Sequence, residues 1–379
     1  MPKESALGER RVALTPDGAK ELVSKGVKVV VEAGAGAEAF YPDQAYSDAG
    51  AEIASDRKRL FADADIVLML TGPTDAGPSD EIELMREGAA FVSFVFPTSN
   101  PKVVQRLVDR KVSAFAMDLI PRISRAQTMD ALSSMSTIAG YKASLLAADY
   151  LPKFFPMLMT AAGTLPPAKV FVLGAGVAGL QAIATCKRLG ARIEAFDVRP
   201  AVKEQIESLG GKFIGLSELA NEGVGEGGYA KELSKDTHQK ELDLIASRLP
   251  QTDAVVTTAL IPNRPAPILI TKEMVNLMKP GSVIIDLAAP NGGNCESTVK
   301  GEVVVQNGVT IVGRTDLITG MAHDASRMYS KNMTTFLALL LDKEGNLNVD
   351  MSDEIIAGTL VTQDGKIVHE ATAKALGGS

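Results

Sequence analysis

Tryptophan is absent from this chain, cysteine occurs twice and histidine three times in 379 residues. Without tryptophan, tyrosine fluorescence can be followed free of interference. Cys186 and Cys295 alone make neither a disulfide framework nor a metal-ligand pattern, and a reducing compartment is the simplest reading. Basic charge does not predominate either. A net charge of −7 argues against nucleic acid or an anionic membrane surface as the main partner. The start, Met1-Pro2-Lys3-Glu4-Ser5, has no apolar h-region, so no secretion signal is expected. The longest charge-free stretches are Phe154–Ala168, broken by prolines, and Val170–Cys186, which carries a glycine turn. Neither resembles a membrane span of roughly 20 residues. The chain is expected to be soluble on its own, without direct membrane insertion.

What is present is an alternation of short β-rich runs and helical stretches, with 46% hydrophobic residues to build more than one core. That alternation predicts α/β layers with largely parallel sheets. Strands are expected at Val27–Glu32, Ile66–Leu70, Ala90–Phe96 and Val112–Asp118, with helices such as Pro16–Lys25 and Pro101–Arg110 between them. After a long helical run, Met129–Tyr150, six more strands are expected. They are Val170–Leu173, Arg192–Val198, Lys212–Ile214, Ala254–Ala259, Ser282–Leu287 and Thr310–Val312. Six is the number a full dinucleotide-binding sheet requires. A helix at Ser326–Leu341 and strands at Thr359–Thr362 and Lys366–His369 should return to the first domain, leaving a frayed tail. The expected fold is therefore two doubly wound, parallel-sheet (Rossmann-like) domains with a cleft between them. Residues 1–132 plus 322–379 form one domain and 133–321 the other.

The segment Lys169-Val-Phe-Val-Leu-Gly174-Ala-Gly176-Val177-Ala-Gly179 reads as strand, glycine turn and helix start. Gly174 permits a tight turn, Gly176 lets backbone approach a pyrophosphate, and Gly179 lets helix and strand pack closely. The helix N-terminus offers N–H groups and a positive dipole end to the phosphates. Asp197 ends the next strand 18 residues beyond Gly179, suited to a ribose diol. The competing reading is a tight turn with no ligand; the four features together favour the nucleotide. Asp197 would repel a 2′-phosphate, which favours NAD over NADP, whereas Arg199 could attract one.

Two further segments invite two readings each. Asn221–Tyr229 holds four glycines in nine residues and is either a surface loop or a lid whose Tyr229 closes over bound nucleotide. Arg122, Gln127 and Asp130 lie in a polar stretch leading into a helix. Gln127 could donate to and accept from a carboxamide, and Asp130 could bind a ribose hydroxyl or pair with Arg122. The plainer reading is a helix N-cap at Ser124 or Thr128 among surface polar residues.

Pro121-Arg122-Ile-Ser-Arg125-Ala-Gln127-Thr-Met-Asp130-Ala-Leu-Ser133-Ser, the Gly174–Gly179 turn leading to Phe196-Asp197-Val198-Arg199-Pro200, and Gly228-Tyr229-Ala-Lys-Glu carry a family resemblance. With Thr257-Thr-Ala-Leu260-Ile-Pro and Asp286-Leu-Ala-Ala-Pro-Asn-Gly-Gly-Asn-Cys295, the chain resembles the NAD(H)-binding component of proton-translocating nicotinamide nucleotide transhydrogenase. The resemblance runs from Pro2 to about Glu370. It implies hydride transfer of the Si-specific/Re-side type from NADH, the bound substrate, to NADP⁺ on a partner NADP(H)-binding subunit. Proton translocation would be coupled through a membrane subunit. By motif match, Arg122, Gln127, Asp130 and Ser133 would orient the nicotinamide and its ribose. Asp197, Val198 and Arg199 would lie at the adenosine end, with Gly228 and Tyr229 in a closing loop and Val177 and Leu260 also against the nucleotide. In that family the arginine at the position of Arg199 does not confer NADP preference. The resemblance further implies a homodimer on the cytoplasmic or organelle-matrix face of a membrane, active only with its partner subunits.

Alanine dehydrogenases share this architecture, and oxidation of a C–N bond needs groups that bind a carboxylate and move protons. Their lysine, histidine and aspartate fall, by motif match, at Thr71, Phe96 and Pro290. The expectation is an uncharged pocket unable to handle an amino acid. Direct transfer between two nicotinamides needs no general acid or base, only proximity and exclusion of water. His238, His323 and His369 lie outside the motifs and read as structural or surface residues. A non-catalytic NAD-binding module is the third reading.

Overall fold

The computed structural model describes residues 1–76, 80–215, 234–261 and 264–377. The chain forms two units, Met1–Met135 with Thr319–Ser379, and Ser136–Ile318. The helix Ala131–Tyr150 carries the chain from one to the other.

In the second unit, Lys169–Leu173 lies inside a seven-stranded sheet and is buried from Val170 onward. Its side chains alternate between two cores. Val170 and Val172 join Ile183, Val256 and Ile285, while Phe171 and Leu173 join Ile245, Val255 and Ile284. Burial on both faces is why this strand is apolar throughout rather than alternating. The order across the sheet is Lys212–Ile214, Arg192–Phe196, Lys169–Leu173, Ala254–Thr257, Val283–Asp286, Val309–Val312 and Val303–Gln306. The first six run parallel, and the order reverses direction between Lys169–Leu173 and Ala254–Thr257, where such sheets bind ligands. All six expected strands are present within two residues at either end. The seventh, Val303–Gln306, goes beyond the sequence expectation. It pairs antiparallel at the edge, half exposed, so it lacks the continuous apolar run of its neighbours. A small hairpin of Leu158–Thr160 with Gly163–Leu165 occupies the charge-free, proline-bounded stretch.

The first unit holds a five-stranded sheet ordered Lys366–Ile367, Leu360–Gln363, Ser113–Ala116, Ala90–Phe94, Ile66–Thr71. Its last three strands are parallel, and the two C-terminal strands join antiparallel. The expected Val27–Glu32 strand is shorter, Val30–Glu32, and pairs with Glu52–Ala54 outside this sheet. Helix Ala322–Leu340 buries Ala325, Tyr329, Met333, Phe336, Leu337 and Leu340, a spacing of three to four that marks one face. The expected frayed tail is instead a helix, Glu370–Ala375. Its first turn is capped by His369, whose Nδ1 lies 3.3 Å from the Thr372 nitrogen.

Candidate functional site

Each glycine of the turn is required for a different reason. Gly174 has φ +93°, and a Cβ there would lie 2.7 Å from Thr258 Oγ1. At Gly179 a Cβ would overlap the carbonyl oxygen of Gly174, and at Gly140 that of Ala178, so two helices and a strand meet through absent side chains. Gly176 differs: its φ is −74° and a Cβ would meet nothing within 4 Å. No local packing demands glycine there, so the open space over it is what the residue preserves. Gly176 also precedes the helix Val177–Arg188, whose N-terminus has no side-chain cap. Val177, the first helical residue, is exposed. Unclaimed N–H groups beside open space suit an anion such as a pyrophosphate.

The turn is held from both sides. Thr258 Oγ1 donates to the Gly174 carbonyl at 2.9 Å and the Thr258 N–H to that of Leu173 at 2.8 Å. On the other side, the Ala175 N–H donates to Asp197 Oδ2 at 2.7 Å. Asp197 is buried, and Arg199 grips its carboxylate through Nε and Nη2, both at 2.8 Å, and through its backbone N–H at 2.9 Å. That bond to Asp197 raises the Arg199 pKa further above its ordinary value. Val198, between them, packs against the core that contains Phe196. Leu260 is exposed beyond the Ala254–Thr257 strand. Gly228 and Tyr229, and with them the whole suggested lid, lie outside the described residues.

Asp286 is a residue of the site that sequence reasoning missed. Its buried carboxylate accepts from Thr257 Oγ1, Thr298 Oγ1 and the N–H groups of Ala288, Asn294 and Cys295, at 2.7 to 3.0 Å. It therefore ties two strand ends to the glycine-containing turn at Gly292 and Gly293. Asn294 then brackets Ala259, accepting from its N–H at 3.0 Å and donating to its carbonyl at 2.9 Å. The one signal of this in the sequence is an aspartate closing a strand and followed by two glycines.

In the first unit, Asp130 stands at the head of the long helix. Its Oδ1 accepts from the Ser133 N–H at 2.9 Å and its Oδ2 from the Ser133 hydroxyl at 2.6 Å. The helix cap is thus Asp130, not Ser124 or Thr128, which lie inside a preceding 3-10 helix, Ser124–Met129. Gln127 is exposed, and its carboxamide makes no hydrogen bond among the described residues, so donor and acceptor are both available. Arg122 is also exposed. Arg125 is committed elsewhere: it holds Asp353 through two bonds, of 2.7 and 2.9 Å, and keeps that carboxyl down at about 2.

Thr71 ends its strand, but its surroundings are not uncharged, contrary to expectation. Its hydroxyl donates to Glu9 Oε2 at 2.8 Å, and Glu9 pairs with Arg11 through bonds of 2.7 and 2.6 Å. Burial pushes the Glu9 carboxyl up, yet Arg11 and Thr71 outweigh it and hold it below its ordinary value. Glu4 accepts from the Leu70 and Thr71 N–H groups at 2.6 and 3.0 Å, and burial pushes its carboxyl up to about 8. The charges missing at Thr71 itself are supplied by the N-terminal segment and cancel one another. Phe96, with φ +47°, is exposed, and Asp118 accepts from its N–H at 3.1 Å. Pro290 sits in the exposed turn Ala289–Asn291. The histidines are structural: His238 bonds Glu241 at 2.8 Å, His323 stacks on Tyr41, and His369 caps a helix. Among the described residues no helix is long and apolar enough to cross a membrane.

Known proteins share both units. Residues 1–139 match the family described as "Alanine dehydrogenase/PNT, N-terminal domain", and residues 143–370 its C-terminal domain. Over 373 residues the chain is 44% identical to NAD(P) transhydrogenase subunit alpha of Haemophilus influenzae, covering 98% of this chain and 72% of that one. In Rhodospirillum rubrum the corresponding NAD(P) transhydrogenase alpha chain is 50% identical over 374 residues, covering 98% of this chain and 97% of that one. A solved transhydrogenase structure from Sinorhizobium meliloti superposes with a TM-score of 0.86 at 44% identity, covering 97% of this chain and 99% of the other. Identity to the alanine dehydrogenase of Bacillus subtilis is 29% over 386 residues, covering 100% of this chain and 94% of that protein.

Proposed function

Because the chain belongs to the alanine dehydrogenase/PNT family, we propose that it acts as the NAD(H)-binding component of a proton-translocating transhydrogenase. NADH, as bound substrate, supplies a hydride equivalent at its nicotinamide, to be taken by NADP⁺ on a partner subunit. The residues described above fit NAD(H). The uncapped helix start at Gly176–Val177 holds the pyrophosphate, Asp197 faces the adenosine ribose, and Val198 and Leu260 flank it. Gln127 presents donor and acceptor to the carboxamide, with Arg122, Asp130 and Ser133 orienting the nicotinamide and its ribose. Asp130 is fixed for that task by its two bonds to Ser133.

The observation that carries this reading over alanine dehydrogenase lies at two strand ends. Thr71 spends its hydroxyl on Glu9, and Phe96 presents an exposed ring. Neither can move a proton, and transfer between two nicotinamides requires none. The partners follow from the same reading: an NADP(H)-binding subunit and a membrane subunit that conducts protons, with a second copy of this chain completing a homodimer. Transfer is of the Si-specific/Re-side type, on the cytoplasmic or matrix face of the membrane.

Mixing the purified chain with a separately prepared NADP-binding partner domain tests this. NADH should reduce an NADP⁺ analogue only when both are present. Steady NADH production from alanine and NAD⁺ would overturn the reading. Gln127→Ala should slow transfer far more than it weakens NADH binding, and equal losses would remove Gln127 from the nicotinamide end.

A further inference from the structure

Arginine two residues beyond the acidic end of a second Rossmann strand is ordinarily a mark of 2′-phosphate binding. Asp197 at that strand end is ordinarily a mark of its rejection. Both residues are here, and the geometry resolves the conflict. The Asp197 carboxylate offers about four acceptor positions. Four protein donors engage it: the Ala175 N–H at 2.7 Å, the Arg199 N–H at 2.9 Å, and Arg199 Nε and Nη2 at 2.8 Å each. The pair is sequestered, with side chains 5% and 17% exposed. Two of the donors are backbone groups fixed by the turn and the strand end. Only the guanidinium can leave.

We propose that Arg199 is a 2′-phosphate ligand held captive by Asp197, so that this site rejects NADP(H) while carrying the arginine that would otherwise accept it. The inference rests on the NAD(H) site proposed above. A ribose diol donates hydrogen bonds and can take over the acceptor positions that the guanidinium vacates. A 2′-phosphate donates nothing useful to a carboxylate. To reach Arg199 it must break a bidentate, charge-assisted pair and leave its own charge beside a buried, unpaired Asp197. Rejection therefore has two components, repulsion by the carboxylate and withholding of the arginine. Such discrimination matters for an enzyme working on both nucleotides at once, because a site that took either would short-circuit the exchange.

The two components separate in a double-variant experiment at the adenosine end. Adenosine 2′,5′-bisphosphate and 5′-AMP differ only in the 2′-phosphate, and their equilibrium binding to the intact chain can be measured by calorimetry. Asp197→Asn keeps an acceptor for the Ala175 N–H and frees the guanidinium. It should shift the preference toward the bisphosphate by about tenfold or more, and adding Arg199→Ala should abolish most of that gain. If the double variant keeps the full gain, repulsion alone sets specificity and the captive arginine is wrong. A folded Asp197→Asn chain with no gain overturns it equally. Should that variant fail to fold, Asp197→Ser serves in the same assay. Failure of the unaltered chain to bind either 5′-AMP or NADH would instead strike the NAD(H) site itself.

Discussion

In the first unit, backbone N–H groups at the ends of the central parallel strands are answered by the chain's own carboxylates. Glu4 takes those of Leu70 and Thr71, and Asp118 takes those of Val95 and Phe96. In the second unit, Asp197 takes the N–H of Ala175, and the next residue, Gly176, faces open space at an uncapped helix start. Both sheets are parallel at this point, where α/β folds bind ligands. One carries internal anions and the other leaves room for an external one. The lesson is that the shared architecture decides where an anion can sit, and particular side chains decide whose anion it is.

Four experiments press on that contrast. The largest effect should come from Gly176→Val, which fills the open space without straining the backbone. NADH affinity should fall about a hundredfold with the melting temperature nearly unchanged. A folded variant with normal affinity would mean that no phosphate uses this turn. Gly72→Ala in the first unit, where a Cβ would lie 2.8 Å from the Phe94 carbonyl oxygen, should do the reverse, lowering stability and sparing affinity.

Next, Asp118→Ala strips the partner from two N–H groups and should cost about 2 kcal/mol in denaturant unfolding, again without touching NADH binding. A loss of NADH affinity would show that the first unit's internal anion also serves the nucleotide.

The third test concerns Glu4, whose carboxyl burial raises from 4.5 to about 8. A raised acid binds more protons folded than unfolded, so its contribution is full below the unfolded pKa and is lost as pH climbs toward the folded one. Relative to Glu4→Gln, the unaltered chain should lose up to about 1.4 kcal/mol per pH unit between pH 5 and 8. Parallel stability curves for the two chains would show that Glu4 does not titrate in this window.

The smallest effect belongs to Thr258→Val, which removes the bond to the Gly174 carbonyl. Stability should fall by about 1 kcal/mol and NADH should bind a few-fold more weakly. Weakened stability with unchanged binding would make Thr258 a support of the fold alone.

The second sheet is legible in the sequence because its strands are continuous apolar runs separated by glycine. Lys169–Leu173 and Ala254–Thr257 can hardly be read otherwise. Val303–Gln306 is hidden because an edge strand with one wet face has no such run. Glu370–Ala375 is hidden because its six residues carry too few apolar positions to show a face. At the site, the glycine turn and Asp197 are visible from spacing alone. The commitment of Asp197 to Arg199 is not, since spacing places residues near each other without orienting them. Nor can Glu4, Glu9 and Arg11 be placed around Thr71, more than 60 positions away, because only the folded chain brings the N-terminal segment to that strand end.

The N-terminal segment also meets the far end of the chain. Val12 and Thr15 N–H groups bond to Ser326 and Ser330, and Leu360–Gln363 completes the sheet beside Ser113–Ala116. The unit synthesised first is therefore finished last. The ribosome must release the strand at Leu360 before those early residues find their partners, whereas Ser136–Ile318 is contiguous and can fold during synthesis. A chain cut short before Leu360 would strand its opening third with half a sheet while sparing the glycine turn.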